Sequence, residues 1–309
     1  MAYLSLALAA VFWGGNYVVG KLMVGKVDPI LLSELRWSLT SCLLLIFNFR
    51  SLKQALPIIR KSKKTIIALG VLGQVLFPVT LYVGLQYTSP LNAAIYLSAT
   101  PSIVLSLNWI FFKDYISKSN ILGVIISTLG VVWLVTQGDV TNLRFLENIN
   151  IGDFWTMVSA VSWGTYCSFL RTKPKDLKGN VFVTVCAIVG AVVLMPFCFV
   201  AAQNGAAMEL KLEWGTLIGL SYLVIFPSWL SYLLWSKGIA EIGATRGEIF
   251  THFIPLSAGL LSITFLGVRL ENYHIVSVIG IVIGVYLCSK HDHRATVIKN
   301  LSNSPAKQS

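Results

Sequence analysis

Residues 243–267 read GATRGEIFTHFIPLSAGLLSITFLG, a run apolar enough to cross a bilayer that still carries Arg246, Glu248 and His252, with Pro255 near its middle. About 30 Å of hydrocarbon at 1.5 Å per residue takes about 20 residues, which this stretch supplies. A charged side chain at bilayer depth costs at least a few kcal/mol, so such residues usually face a protein interior or a wet cavity. Glu248 and His252 are four apart and share one helical face, while Arg246 sits well round the helix. The rest of the chain is read as a box of helices around this segment.

Of 309 residues, 55% are hydrophobic and 12% are charged. Apolar runs with soft boundaries recur near 3–22, 29–48, 65–86, 90–111, 119–136, 151–170, 181–202, 214–236, 243–266 and 274–290, which predicts an all-α membrane protein of ten transmembrane helices. The first run is read as a retained span, because it lacks a basic n-region and WGGNY interrupts it. The net charge of +11 sits mainly in short connections, among them Arg50 to Lys64, Lys113, Lys118 and Arg171 to Lys178, and in the tail after Lys290. Opposite connections carry only Lys21, Lys26, Arg144, Lys211 and Arg269. That asymmetry places both termini in the cytoplasm, leaves no basic-aromatic surface for nucleic acid, and fits a multi-pass protein of a bacterial inner membrane. The five cysteines lie in apolar runs without ligand spacing and are read as packing residues. With no P-loop, HExxH or GxSxG, no ATP engine, hydrolase centre or cofactor is expected, and the chain is not read as an enzyme.

The chain also repeats itself. Ala10-Val11-Phe12-Trp13-Gly14 returns as Ala160-Val161-Ser162-Trp163-Gly164, 150 positions on, and Gly84, Pro101 and Gly130 return as Gly238, Pro255 and Gly284, 154 positions on. Each half holds five runs, so the second copy enters the bilayer upside down, the inverted-repeat plan of secondary transporters. The division is residues 1–136, an outer loop at 137–150, residues 151–290 and a basic cytoplasmic tail at 291–309.

WGGNYVVGK (Trp13 to Lys21), Pro29 with LRW (Leu35 to Trp37), ATP (Ala99 to Pro101), FFKD (Phe111 to Asp114) and GATRG…IP appear in that order. With the small residues Gly123 and Gly130, mirrored by Ser277 and Gly284, this set resembles the EamA-type, ten-helix branch of the drug/metabolite transporter superfamily over roughly residues 3–290. The resemblance implies two five-helix repeats around a cavity and a small polar metabolite as substrate. It also implies an acidic residue after the fourth and ninth spans. Asp114 fits; the repeat-equivalent position is Val268, beside Arg269, with Glu271 one turn on, which leaves an outer gating carboxylate in doubt.

Candidate site residues fall into four groups. Glu248 and His252 are proton-coupling candidates, because desolvation brings a carboxyl and an imidazole toward neutral pH. Pro101 and Pro255 each free the carbonyl four residues back, Leu97 or Thr251, and are hinge candidates. Trp13, Asn16 and Tyr17 share one face of the first helix, which Trp163 and Tyr166 echo in the sixth. Gln74 with Tyr82 and Asn92 with Tyr96 extend the polar faces, since amides facing lipid are costly. These residues, with Arg246, are expected to line the substrate cavity. Glu34 and Arg36 are two apart and face differently; Arg36 either holds a substrate carboxylate or locks helices, and Glu34, Arg36 and Asp114 are assigned structural or gating roles. Gly280 and Gly284 form a GxxxG for close packing, as a monomer or a homodimer seam. Trp37, Trp155, Trp214 and Trp235, near span ends, are read as interfacial belt residues.

The function expected is proton-coupled export of an amino acid or similar metabolite by alternating access. Import of a vitamin or carboxylate is the alternative within the class, and a non-transporting membrane scaffold or sensor the alternative outside it.

Overall fold

The computed structural model describes residues 2–114, 117–136, 138–139, 150–203, 209–242, 250 and 253–289. Arg246, Glu248 and His252 lie outside the described residues, as do most of the connecting loop and the whole basic tail.

Helices occupy the apolar runs: α1 (Ala2–Leu22), α2 (Pro29–Lys61), α3 (Lys63–Gly70), α4 (Phe77–Leu85), α5 (Pro90–Leu97), α6 (Thr100–Phe112), α7 (Lys118–Val135) and α8 (Ile151–Phe169). They continue as α9 (Gly179–Gln203), α10 (Trp214–Ile225), α11 (Ser231–Ile242), α12 (Phe253–Leu266) and α13 (Asn272–Ser289). A π-helical turn, Val71–Leu76, joins α3 to α4, and another, Phe226–Leu230, joins α10 to α11. Six stretches are long and apolar enough to cross a membrane on their own, and no β-sheet occurs among the described residues.

Polar and apolar residues are arranged inside out. Ser33, Thr40, Ser231, Ser262 and Ser277 are fully buried, while Ile46, Phe49, Phe199 and Phe265 stand more than half exposed. In water such a surface would aggregate; against lipid it is the ordinary arrangement, and small residues inside let helices approach. The chain is a multi-pass membrane protein.

Two elements depart from the sequence reading. The second helix was expected to end near Asn48 and runs on to Lys61, taking Pro57 in its stride. At 33 residues it is about 50 Å long, so its basic last third reaches past any hydrocarbon layer. The fourth run is broken rather than kinked: turns at Ser98 and Ala99 separate α5 from α6, and Pro101 is the second residue of the new helix. Proline donates no backbone bond and fits the first turn of a helix, where none is needed.

The packing is duplicated. Gly84 in α4 meets Thr156 and the Gly152 carbonyl of α8, and Gly238 in α11 meets Leu6 and the Ala2 carbonyl of α1. Shifts of 154 for the glycine and 150 for its neighbours carry one set onto the other. Gly14 packs on Ser257 of α12 as Gly164 packs on Ile103 of α6, at the same two shifts. Ser159 donates to the Phe77 carbonyl (2.8 Å), and the exchanged pair is Ser231 donating to the Ala9 carbonyl (3.2 Å). α7 and α13 exchange with each other: Gly130 meets Ser277 and Ile281, while Gly284 meets Gly123 and Ser127. These two helices run antiparallel, since the Ser119 hydroxyl at the start of α7 reaches the Leu287 carbonyl near the end of α13. Contacts of one half thus map onto contacts of the other when equivalent helices are exchanged.

The GxxxG glycines are used inside the chain. Gly280 and Gly284 both face α7. Trp37 also moves from its expected place: it is 1% exposed and packs between α2 and α9, since position 37 lies two turns inside the helix rather than at its end.

Candidate functional site

Arg36 is the centre of the polar interior. The residue is 4% exposed, and its guanidinium donates from Nε to Ser228 Oγ (2.6 Å), and from Nη1 to Asn16 Oδ1 (3.0 Å) and the Tyr82 hydroxyl (2.8 Å). The Tyr82 hydroxyl donates in turn to Asn16 Oδ1 (3.0 Å), and Ser228 donates to the Leu223 carbonyl (2.7 Å). The guanidinium also lies 4.8 Å from the ring centre of Trp37. Four segments from both halves therefore converge on one cation. Its three hydrogen-bond partners among the described residues are neutral oxygens, and the ion pairs among those residues are Lys26–Glu213, Arg171–Asp114 and Lys211–Glu209.

The π turns place the second half of this cluster. Ser228 lies in one and Gln74 in the other, and 154 positions separate them. An i+5 turn widens the helix locally and rotates a side chain out of the 3.6 register, which is why such turns collect at functional sites. Gln74 lies beside Tyr232, and the Tyr232 ring meets Trp13 edge-on at 5.6 Å. Trp13 donates from Nε1 to the Pro227 carbonyl (3.0 Å), next to Ser228. On the opposite side Trp163 stacks on Tyr166 (5.1 Å) and tilts against Phe77 (4.9 Å), while Tyr166 packs against Gly73. Gln74 Oε1 and the Tyr17 hydroxyl are buried with no hydrogen-bond partner among the described residues. Unpaired buried oxygens cost free energy and invite a ligand or water.

Of the sequence candidates, Asn16, Arg36 and Tyr82 meet directly. Trp13, Gln74, Trp163 and Tyr166 form the aromatic and amide wall beside them. Asn92 and Tyr96 do not join this cluster. Asn92 Oδ1 lies 3.0 Å from His274 Nε2, and its Nδ2 lies 3.5 Å from the Thr88 hydroxyl, which donates to Asp153 (2.6 Å). The Tyr96 hydroxyl is buried without a partner among the described residues. Glu34 accepts from Ser38 (2.6 Å) and makes no contact with Arg36. Asp114 pairs with Arg171 (2.8 Å) across α6 and α8, with Arg171 4.4 Å from the Phe112 ring centre. Pro255 is the third residue of α12, and Thr251, whose carbonyl it was expected to free, lies outside the described residues.

Sequence reading missed Ser228, Tyr232 and His274. Ser228 carried a usable signal, its repeat relation to Gln74. A histidine in the first turn of an apolar helix, as His274 is, was equally visible.

A family profile described as the EamA-like transporter family matches residues 1–136 and 150–290. The chain is 27% identical to the uncharacterized transporter YyaM of Bacillus subtilis over 288 residues, covering 93% of each chain. It is 25% identical to the uncharacterized transporter YetK of the same organism, over 93% of this chain and 86% of YetK. An uncharacterized transporter of Archaeoglobus fulgidus is 27% identical over 94% of this chain and 98% of its own. One solved crystal structure shares the fold, with a TM-score of 0.57 at 16% identity over 98% of this chain and 99% of that one.

Proposed function

We propose that this chain, which belongs to the EamA-like transporter family, is a secondary transporter that exports an amino acid or a similar small polar metabolite. Its two halves are oppositely inserted five-helix repeats, ten spans in all, with both termini in the cytoplasm of a bacterial cell and the body in the inner membrane. They alternate access to a cavity walled by Trp13, Asn16, Tyr17, Gln74, Tyr82, Trp163 and Tyr166.

The observation that carries this reading is Arg36. An isolated buried cation costs several kcal/mol, and neutral hydrogen-bond partners offset only part of that. An intramembrane arginine with no carboxylate partner among the described residues is therefore read as awaiting its counter-charge from the cargo. A guanidinium fork grips a carboxylate in two parallel hydrogen bonds. Aromatic faces opposite suit the apolar part of an amino-acid-like molecule. The same cation favours a carboxylate metabolite as the second reading, with import in place of export.

Coupling is assigned to Glu248 and His252, which take up protons from the side of higher acidity as cargo leaves. Pro101, at the head of α6, and Pro255, near the head of α12, serve as the hinges. Purified protein in liposomes is expected to move a labelled amino acid when a pH gradient is imposed. Glu248→Gln is expected to abolish gradient-driven movement while sparing exchange of labelled for unlabelled cargo. Gradient-driven flux that survives Glu248→Gln removes the carboxylate from the coupling step, and no flux of any amino or organic acid removes the transporter reading.

A further inference from the structure

The two mouths of the molecule are built on one backbone plan and differ in one charge. At the first mouth α6 ends with Lys113 in the left-handed region (φ 56°), and the Asp114 amide turns back to the Asn108 carbonyl (3.3 Å). At the second, α12 ends with Gly267 (φ 63°), and the Val268 amide turns back to the Ser262 carbonyl (3.4 Å). Every one of these positions is related by 154. Across the first mouth Asp114 pairs with Arg171 at the end of α8. The position 150 earlier than Arg171 is Lys21, near the end of α1. The cation is thus present at both mouths and its carboxylate at only one, where the second has Val268.

Lys21 and Val268 line the same cleft, about 360 Å³ in volume, with Thr88, Ser89, Asn92 and Asn150. The Lys21 ammonium donates to the carbonyls of Leu85 (2.6 Å) and Thr88 (3.0 Å), and no carboxylate among the described residues lies within ion-pair distance of it. Asp153 accepts from the Thr88 hydroxyl (2.6 Å) and forms no ion pair with the ammonium. Arg269, next to Val268, is exposed and adds positive charge at the rim. An ammonium has three donors, so Lys21 keeps one to offer after two carbonyls.

We propose that this cleft binds a small carboxylate, which supplies at the second mouth the charge that Asp114 supplies at the first. The bound carboxylate would meet Lys21 and the polar rim of Ser89, Asn92 and Asn150, and draw the end of α12 toward the end of α1. A carboxylate attached to residue 268 should take the same place. The inference rests on the transporter reading only for its purpose, as the docking point at one end of the pathway; the binding itself stands apart from flux.

The test is the reactivity of Lys21 toward an acylating reagent, read by mass spectrometry on the full chain in detergent at fixed pH and ionic strength. Lactate is the probe, lactamide its uncharged control, and Lys26 the internal reference. Lactate is expected to slow acylation of Lys21 roughly tenfold at saturation, as a charge-assisted hydrogen bond would, and lactamide to leave it unchanged. Val268→Asp should show the slowed rate with no ligand and no further response to lactate. Val268→Asn, matched in size, should behave as the wild type. Equal Lys21 rates with lactate and lactamide, or in Val268→Asp and Val268→Asn, overturn the proposal. Because occupancy is read rather than transport, either result leaves the transporter reading to its own experiment.

Discussion

Arg36 separates two accounts that sequence alone left open, a lock between helices and a grip on cargo. Its three hydrogen bonds to Ser228, Asn16 and Tyr82 would satisfy either. A lysine in its place keeps the charge and loses the planar fork. Arg36→Lys is expected to lower flux in liposomes by about tenfold or more, the worth of one well-formed charged hydrogen bond, while yield and thermal stability in detergent change little. Unchanged flux with a clear loss of stability would make Arg36 a lock. Asn16, Arg36, Gln74 and Tyr82 could be picked out in advance because amides, phenols and a guanidinium stand out in apolar runs. Ser228 could not be picked out by type, since serine is common in membrane helices and satisfies itself on a backbone carbonyl. What placed it was the π turn, and the 154-residue relation to Gln74 was the trace of that turn in the sequence.

Helix ends and contents were legible to different degrees, for physical reasons. Apolar length marks a span whatever its internal geometry, so helix positions such as Ile151–Phe169 and Lys118–Val135 follow the expected ranges within a residue or two. A π turn leaves no such mark: in a uniformly apolar stretch a change from i+4 to i+5 bonding alters no hydrophobic pattern. The end of α2 was misplaced because a basic, amphipathic continuation looks like a connection when only hydropathy is followed. Packing between elements can be probed at the α7–α13 seam, where two glycines of one motif differ. A methyl added at Gly284 would come within 2.5 Å of the Gly123 carbonyl, whereas one at Gly280 finds nothing nearer than 3.4 Å. Gly284→Ala is therefore expected to destabilise the protein by about 1–3 kcal/mol through overpacking, and Gly280→Ala to cost far less. Thermal unfolding in detergent checks this, and equal losses at the two positions would contradict the seam described.

For the whole molecule the repeat landmarks in the sequence proved to be contacts in the fold. Gly84 and Gly238, and Gly130 and Gly284, sit at equivalent helix crossings, and their neighbours exchange at constant offsets. One half contributes Asn16, Arg36 and Tyr82 to the polar interior and the other Trp163, Tyr166 and Ser228, so the two halves furnish it unequally. The central claim is that the two halves enter the bilayer in opposite senses. Lys26, between α1 and α2, and Asp176, between α8 and α9, are equivalent by the 150-residue shift and lie in loops. With the native cysteines Cys42, Cys167, Cys186, Cys198 and Cys288 replaced, single Lys26→Cys and Asp176→Cys variants can be exposed in intact cells to a maleimide that does not cross membranes. The account predicts labelling of the Lys26→Cys variant from outside, and of the Asp176→Cys variant only after the cells are permeabilised. Labelling of both from the same side would contradict it.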